Sequence, residues 1–285
     1  METLRHRAFR GAWWTTNVLL IASVLAVIYA GVWEYSIRRY LDGFSDAIVA
    51  DSEPAEYQAE AILQWIKNGP SRLEAPNLAA LSTRDPQTTL NYRQLLAICG
   101  SATNAFLNLA RSNGLRARRL LLLGENGTAT HVVAEVLING RWVIADPVYH
   151  VLLRDQRGNL LTRSELRDPK TFAEATGVIP GYRPAYKYER VAHVRMSRLP
   201  VLGRGARWVL DHMFPGWEEA IDWSLLLERE SFLALTVSLI FTIWFVMCRL
   251  LLGWYADHRL KIPRFHLRSR FWRASTTFVR APEIK

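Results

Sequence analysis

Thr130-His-Val-Val-Ala-Glu-Val-Leu-Ile138 is followed by Asn139-Gly140, then by Arg141-Trp-Val-Ile-Ala-Asp146 and Pro147. Two runs rich in β-branched residues flank an Asn-Gly pair. That is the sequence signal for a β-hairpin with a two-residue type I′ turn. A two-residue turn fixes the register. Ile138 is expected to face Arg141, Leu137 to face Trp142, Glu135 to face Ile144 and Val133 to face Asp146. Cross-strand partners share a face, as do residues two apart on one strand. His131 and Asp146 are therefore expected on one side of the sheet, with their Cβ atoms within about 7–8 Å. A slip of one residue would put them on opposite faces.

Upstream of the hairpin, Cys99, Ala102, Phe106, Leu109 and Ala110 recur at three- and four-residue spacing, which predicts an amphipathic helix. Ser112-Asn113-Gly114 supplies its stop signal. Cys99 opens this helix and leads its inward stripe. The partial positive charge and free N–H groups of a helix N-terminus favour a thiolate and can hold a developing oxyanion. The chain has two cysteines, and the other, Cys248, lies in a hydrophobic run, so Cys99 has no evident disulfide partner. A thiol, an imidazole and a carboxylate in this order are the parts of a nucleophilic acyl-transfer site. Cys99 would attack, His131 would carry the proton and Asp146 would set the tautomer. Taken one at a time, each residue also has a structural reading: a small core residue, a satisfied strand histidine and a turn former before proline.

From Glu56 to Tyr149 the chain resembles the transglutaminase-like superfamily of papain-type cysteine enzymes. Ala59-Glu-Ala-Ile-Leu-Gln-Trp-Ile66 resembles its leading helix, and Cys99-Gly-Ser-Ala-Thr-Asn-Ala-Phe-Leu its nucleophile helix. Gly114-Leu-Arg-Ala-Arg118-Arg-Leu is similar to its helix-to-strand element. His131-Val-Val-Ala-Glu135-Val, Gly140-Arg-Trp142 and Asp146-Pro147 resemble its His and Asp strands. The resemblance implies an α+β fold in which a papain-like or transglutaminase-like nucleophile helix packs on an antiparallel sheet. It also implies Cys99 as nucleophile, His131 as general base and acid, and Asp146 as orienter. Ala97 stands where the family often has glycine, and Val133 where it often has an aromatic residue. Gln94 is an oxyanion donor only by loose analogy with papain, and we read it as a helix-surface residue. Glu135 is expected to pair with Arg118 or Arg119, Arg118 to act as structural support, and Trp142 to lie in the core.

Two apolar runs flank this region. Residues 11–33 carry no charge and are long enough to cross a hydrocarbon layer of about 30 Å. Trp13, Trp14 and Trp33 mark the ends. The run is longer than the apolar region of a cleaved signal peptide, so an uncleaved anchor is expected. Residues 231–254 form the second run, in which Arg249 is expected to snorkel toward the polar side. Most of the net charge of +10 lies in residues 1–10 and 255–285. The positive-inside rule then places both termini in the cytoplasm, and Arg38 and Arg39 argue weakly the other way. The expected organisation is a cytoplasmic N-terminus (1–10), a first transmembrane helix (11–33), a catalytic domain with leading helices (34–155), and a C-terminal extension (156–230). A second transmembrane helix (231–254) and a basic cytoplasmic tail (255–285) complete it. This makes a two-pass protein of the inner, cytoplasmic membrane with a periplasmic or otherwise extracytoplasmic domain.

Elsewhere the sequence predicts a helix starting at Ser52-Glu-Pro-Ala and stopping at Asn68-Gly69-Pro70. A loop is expected over residues 70–90, a turn over Asp155-Gln-Arg-Gly-Asn159, and short helix and strand material over residues 160–195, including Tyr186-Lys-Tyr-Glu-Arg-Val. Residues 203–228 read equally as an interfacial amphipathic segment or as a helix packed on the domain. No metal-ligand spacing, glycine-rich phosphate loop or EF-hand pattern is present, so no cofactor is expected. The expected partners are a protein, peptide or glycan-linked acyl substrate in the envelope, membrane lipids and a membrane-complex partner. Lipid head groups suit the basic tail better than nucleic acid does. Two functional classes remain at this point: a thiol hydrolase or acyl transferase, and a non-catalytic binding or assembly module of an envelope or polysaccharide complex.

Overall fold

The computed structural model describes residues 2–50, 53–69, 72–74, 77, 81–194, 208–209, 211–217 and 223–260. The basic tail beyond residue 260, Arg204, Arg207, Pro70 and Pro76 lie outside the described residues. One compact unit spans Ile28–Thr236, and a second holds the described residues before and after it.

Helices α1 (Glu2–Ile48), α2 (Ala55–Asn68), α3 (Pro86–Asn91), α4 (Arg93–Leu96) and α5 (Cys99–Ser112) come first. Strands β1 (Ala117–Leu123), β2 (Ala129–Ile138), β3 (Arg141–Asp146) and β4 (Val151–Leu152) follow, then α6 (Pro169–Gly177), β5 (Val191–Ala192), α7 (Trp223–Glu228) and α8 (Glu230–Tyr255). The strands form one antiparallel sheet in the order β4-β3-β2-β1-β5. The architecture is α+β, with a candidate transmembrane helix on either side of it in the chain.

The β2–β3 hairpin has the expected register, from Ile138 opposite Arg141 to Ala134 opposite Ala145. Asn139 (φ 50°) and Gly140 (φ 77°) both take the left-handed conformation that a type I′ turn requires. Alternation then divides the sheet. Ala134, Val136 and Val143 face a core built with Phe106 and Leu109 of α5 and Ile62 and Ile66 of α2. Leu120, Leu122, Val133 and Ile144 face a second core with Leu161, Leu166 and Tyr188. The chain after residue 155 thus covers the second face of the sheet and adds β5.

Helix α5 departs from the one-sided stripe. Every residue from Ser101 to Ala110 is buried, because β1 and β2 pack on one side and α2, α3 and α4 on others. Several of its polar side chains find partners inside the fold, whereas Ser101 Oγ and Asn108 Oδ1 have none among the described residues. Thr103 donates to the Val132 carbonyl (3.0 Å), Asn104 to the Thr83 carbonyl (3.2 Å), and Asn108 to the Asn104 side chain (3.2 Å). The loop expected over residues 70–90 is partly replaced by α3. Asp85 caps that helix by accepting from the N–H groups of Gln87 and Thr88, and Pro86 occupies its first turn. Helix α2 starts one residue after Pro54 and stops at Gly69. The Asp155–Asn159 turn is present, with Gly158 at φ 85°.

Both α1 and α8 are long and apolar enough to cross a membrane, and only 11% of the most apolar window of each is buried. A core helix would be mostly buried. Arg249 donates to Asn17 Oδ1 (2.8 Å), and its guanidinium sits over the Trp13 ring. It therefore has partners within the chain. The C-terminal part of α1 enters the first core through Ile37 and Leu41. Ser45 donates to the Leu109 carbonyl (3.2 Å), and Ser112 donates to Asp42. In the 203–228 segment Trp208, Met213 and Phe214 are exposed, whereas Trp217 is buried and α7 packs on β1.

Candidate active site

Strand β3 ends at Asp146, whereas β2 begins at Ala129 and runs on beyond it. The first residues of β2 therefore have no β3 partner, and the N-terminus of α5 fills the place. The Val132 carbonyl is taken by Thr103, and the Val132 N–H hydrogen-bonds the Cys99 sulfur. Arg119, buried on the opposite side of β2, donates to the Gly100 carbonyl (3.1 Å) and ties the first turn of α5 to β1.

This arrangement brings Cys99, His131 and Asp146 together. His131 Nε2 lies 2.7 Å from Asp146 Oδ2. The Cys99 thiol is hydrogen-bonded to His131, and Nδ1 is the ring nitrogen left for it. Asp146 has no exposed surface and His131 only 2%, whereas Cys99 is half-buried and remains the approachable member. Asp146 Oδ1 accepts from the N–H groups of Val148 (3.1 Å) and Tyr149 (3.4 Å), which fixes the carboxylate in the tight turn after β3. His150 closes that turn at φ 60°, an uncommon conformation for a residue other than glycine.

The electrostatics follow from the contacts. The hydrogen bond to His131 is the largest influence on Cys99. Assisted by the N–H groups of Gly100 and Val132, it outweighs burial and lowers the thiol pKa. Burial alone would depress His131, but hydrogen bonds to Asp146 and Cys99 raise it to about 9. Opposite shifts of a thiol and its imidazole partner favour the thiolate–imidazolium pair near neutral pH. A thiolate held this way is a competent nucleophile toward a carbonyl carbon.

Sequence reasoning missed a tyrosine cluster over the imidazole. Tyr186 stacks on His131 with centroids 4.1 Å apart and planes 7° from parallel. Tyr149 and Tyr182 meet the ring edge-on at 6.1 and 6.4 Å. Tyr149 donates to the Gly181 carbonyl (2.9 Å), and the Tyr182 hydroxyl lies 3.2 Å from that of Tyr188. Burial pushes the Tyr182 and Tyr188 phenols up, so both stay neutral. Tyr186 belongs to a turn, where strand material was expected. The available signal was three tyrosines within Gly181-Tyr-Arg-Pro-Ala-Tyr-Lys-Tyr188, a segment too punctuated for a regular strand.

The remaining site residues fall as follows. Glu135 pairs with its cross-strand neighbour Arg118 (2.7 Å). Trp142 is half-buried beneath the Arg118 guanidinium, 4.2 Å from its ring centroid, and is not a core residue as expected. The Arg118 aliphatic stem and planar head bridge Glu135 and that ring, which keeps the indole at the surface. Gln94 lies half-buried on α4.

Residues 42–147 match the family model of the transglutaminase-like superfamily. No curated protein and no solved structure matches the chain. The matched segment starts earlier than Glu56, within the part of α1 that docks on α5, and it includes Cys99, His131 and Asp146. The chain therefore carries a transglutaminase-like region over residues 42–147, flanked by two candidate membrane-spanning helices.

Proposed function

We propose that this chain is a membrane-anchored thiol enzyme acting on an amide or ester carbonyl. Cys99 is the nucleophile, His131 the proton carrier and Asp146 the residue that orients it. The observation behind this reading is the convergence of one half-exposed sulfur, one buried imidazole and one buried carboxylate at a place where the strand pairing stops. The Cys99 sulfur adds to the carbonyl carbon, and N–H groups at the start of α5 receive the developing oxyanion. Collapse expels the amine or alcohol, which takes its proton from the imidazolium. Water or an amine then attacks the thioester with His131 as base, and the thiol is regenerated. Water makes the reaction a hydrolysis, and an amine makes it an acyl transfer.

The site faces outward in this reading, with both termini in the cytoplasm, so envelope peptides, surface proteins and acylated glycans are the substrate class. The excess of Lys and Arg at the two ends supports that orientation. Protease added to spheroplasts should digest the middle of the chain and spare the tail. Loss of the tail would invert the topology.

A thiol-reactive probe at neutral pH tests the chemistry on the full chain in detergent. Cys99 should label far faster than free cysteine, and His131→Ala should remove that advantage. Trapping the acyl intermediate and identifying its adduct by mass spectrometry would name the donor. Slow labelling indifferent to His131 would overturn the enzyme reading in favour of a non-catalytic module.

A further inference from the structure

Asp146 has no exposed surface, so water does not complete its hydrogen bonds. Its Oδ2 takes His131 Nε2 (2.7 Å), and its Oδ1 takes the N–H groups of Val148 and Tyr149. A further donor is the Tyr182 hydroxyl, which hydrogen-bonds the Asp146 side chain. Tyr182 belongs to the segment after α6, where its ring packs against Phe172 (6.1 Å between centroids) and Tyr149 (4.6 Å). Its hydroxyl lies 3.2 Å from that of Tyr188, and distance alone does not set which of the two donates. Acceptor supply does. A carboxylate accepts and has no proton to give, so Tyr182 donates to Asp146. The Tyr182 oxygen is then free to accept, and Tyr188 donates to it. Tyr188 is only 1% exposed, and a buried phenol needs such a partner for its proton. The reverse order would take the Tyr182 proton away from a buried carboxylate. Burial keeps both phenols protonated, so both remain donors across the neutral range.

We propose that Tyr188 and Tyr182 form a donor relay that positions the Asp146 carboxylate and, through it, limits how tightly His131 holds its proton. The relay runs from the Tyr188 hydroxyl to the Tyr182 oxygen, and from the Tyr182 hydroxyl to Asp146. His131 donates into the same carboxylate from β2. No proton is transferred along the relay, and both tyrosines are positioning residues. The titratable groups that meet the imidazole are Cys99 from α5, Asp146 from β3, Tyr149 from the turn after β3, and Tyr182 and Tyr186 from the covering segment. Asp146 and Cys99 both favour the imidazolium. A hydroxyl drawn to the carboxylate disperses its charge and so moderates that preference. In a thiol enzyme, the reading on which this consequence rests, the moderation matters. The imidazolium must give its proton to the departing amine or alcohol, and a general acid works best when its pKa is near the working pH.

The test uses the full chain in detergent with isotope-labelled histidines, the His131 signal being assigned by its loss in His131→Ala. Its titration is followed by NMR in the wild type and in two variants. The wild-type midpoint is expected near 9. Tyr182→Phe keeps the ring and removes the donor. The carboxylate then acts on His131 undivided, so the midpoint should rise by about half a unit or more. Tyr188→Phe acts one bond further away and should give a smaller rise. Should Tyr182→Phe fail to fold, Tyr188→Phe decides by the same sign. A purely structural role would lower the stability of the variants and leave the midpoint of the folded protein in place, and that result overturns the proposal. A fall in the midpoint overturns it as well. Slow labelling of Cys99 would sink the enzyme reading without touching this titration. An unmoved midpoint sinks the relay whether or not Cys99 reacts.

Discussion

The two ends of α5 are built on opposite plans. At the Cys99 end the charges are matched within the chain: thiol to imidazole, imidazole to carboxylate, carboxylate to backbone N–H groups and tyrosine. At the Arg111 end Arg38, Arg111, Arg116, Arg118 and Arg229 line one cavity, and Asp42 is the one lining carboxylate among the described residues. A reactive centre benefits from internal matching, because its protonation state is then set before any reactant arrives. The same helix carries both ends because its middle is buried on every side and fixes them independently of solvent.

The largest expected effect falls on the thiol end. His131→Ala should slow Cys99 labelling at neutral pH by up to about 10²-fold, the factor by which the thiolate fraction falls when the thiol returns to its ordinary pKa. Asp146→Asn should produce much of the same loss by allowing the wrong tautomer. The pH dependence has a definite sign. His131 rises on folding from its ordinary 6.5 to about 9, so its contribution to stability is complete below about pH 6.5 and drains away as pH climbs through 9. Cys99 moves down from its ordinary 9.0, so its share is complete above pH 9 and is lost as pH falls through the folded value. Wild-type labelling should therefore be nearly flat through neutral pH, whereas His131→Ala should follow an ordinary thiol titration near 9. A wild-type profile with that ordinary shape would refute the ion pair.

Next in size is the shared middle of the helix. Phe106 is fully buried, and Phe106→Ala should cost about 3–5 kcal/mol. Denaturant melts should show the loss, and thiol labelling should lose its advantage over free cysteine with it. Fast labelling in a protein destabilised to that extent would break the idea that the buried middle of α5 holds the Cys99 end in place. A smaller effect belongs to the ring over the imidazole. Tyr186→Ala should lower the labelling rate roughly tenfold by freeing His131 from its stacked position, while Tyr186→Phe keeps the stack and should remain near wild type. Equal losses in both variants would assign the role to the hydroxyl. The smallest effect is the control that separates the ends. Arg116→Gln should change stability by no more than about 0.5 kcal/mol and leave Cys99 labelling within about twofold, because distant sites act additively.

Much of the site was legible in local sequence. Asn139-Gly140 admits few turns, and a two-residue turn carries its register outward along both strands, so His131 and Asp146 were placed before any coordinates. Cys99 at the start of a helix followed from apolar spacing and the Ser112-Asn113-Gly114 stop. The burial of α5 on all sides was not legible, because Thr103, Asn104 and Asn108 look like solvent-facing residues until their acceptors are found on β2, in the loop before α3 and one turn away. The half-exposed position of Trp142 depends on an arginine two strands away in the sheet. The tyrosine cover reaches His131 from more than fifty residues downstream, through a segment with no regular period.

The sequence by itself determined the hairpin register, the helix that begins at Cys99, the two long apolar runs and the strong positive charge of the ends. These depend on neighbours within a few residues, whose geometry the backbone fixes locally. Only the tertiary structure decided that β3 stops where the Cys99 end of α5 arrives, that Tyr186 lies on the imidazole, and that arginines from α1, α5, β1, the link before β1 and the link between α7 and α8 line one cavity. Those outcomes depend on contacts between segments far apart in the chain, which form where buried surface and unmatched charge are balanced across the whole fold.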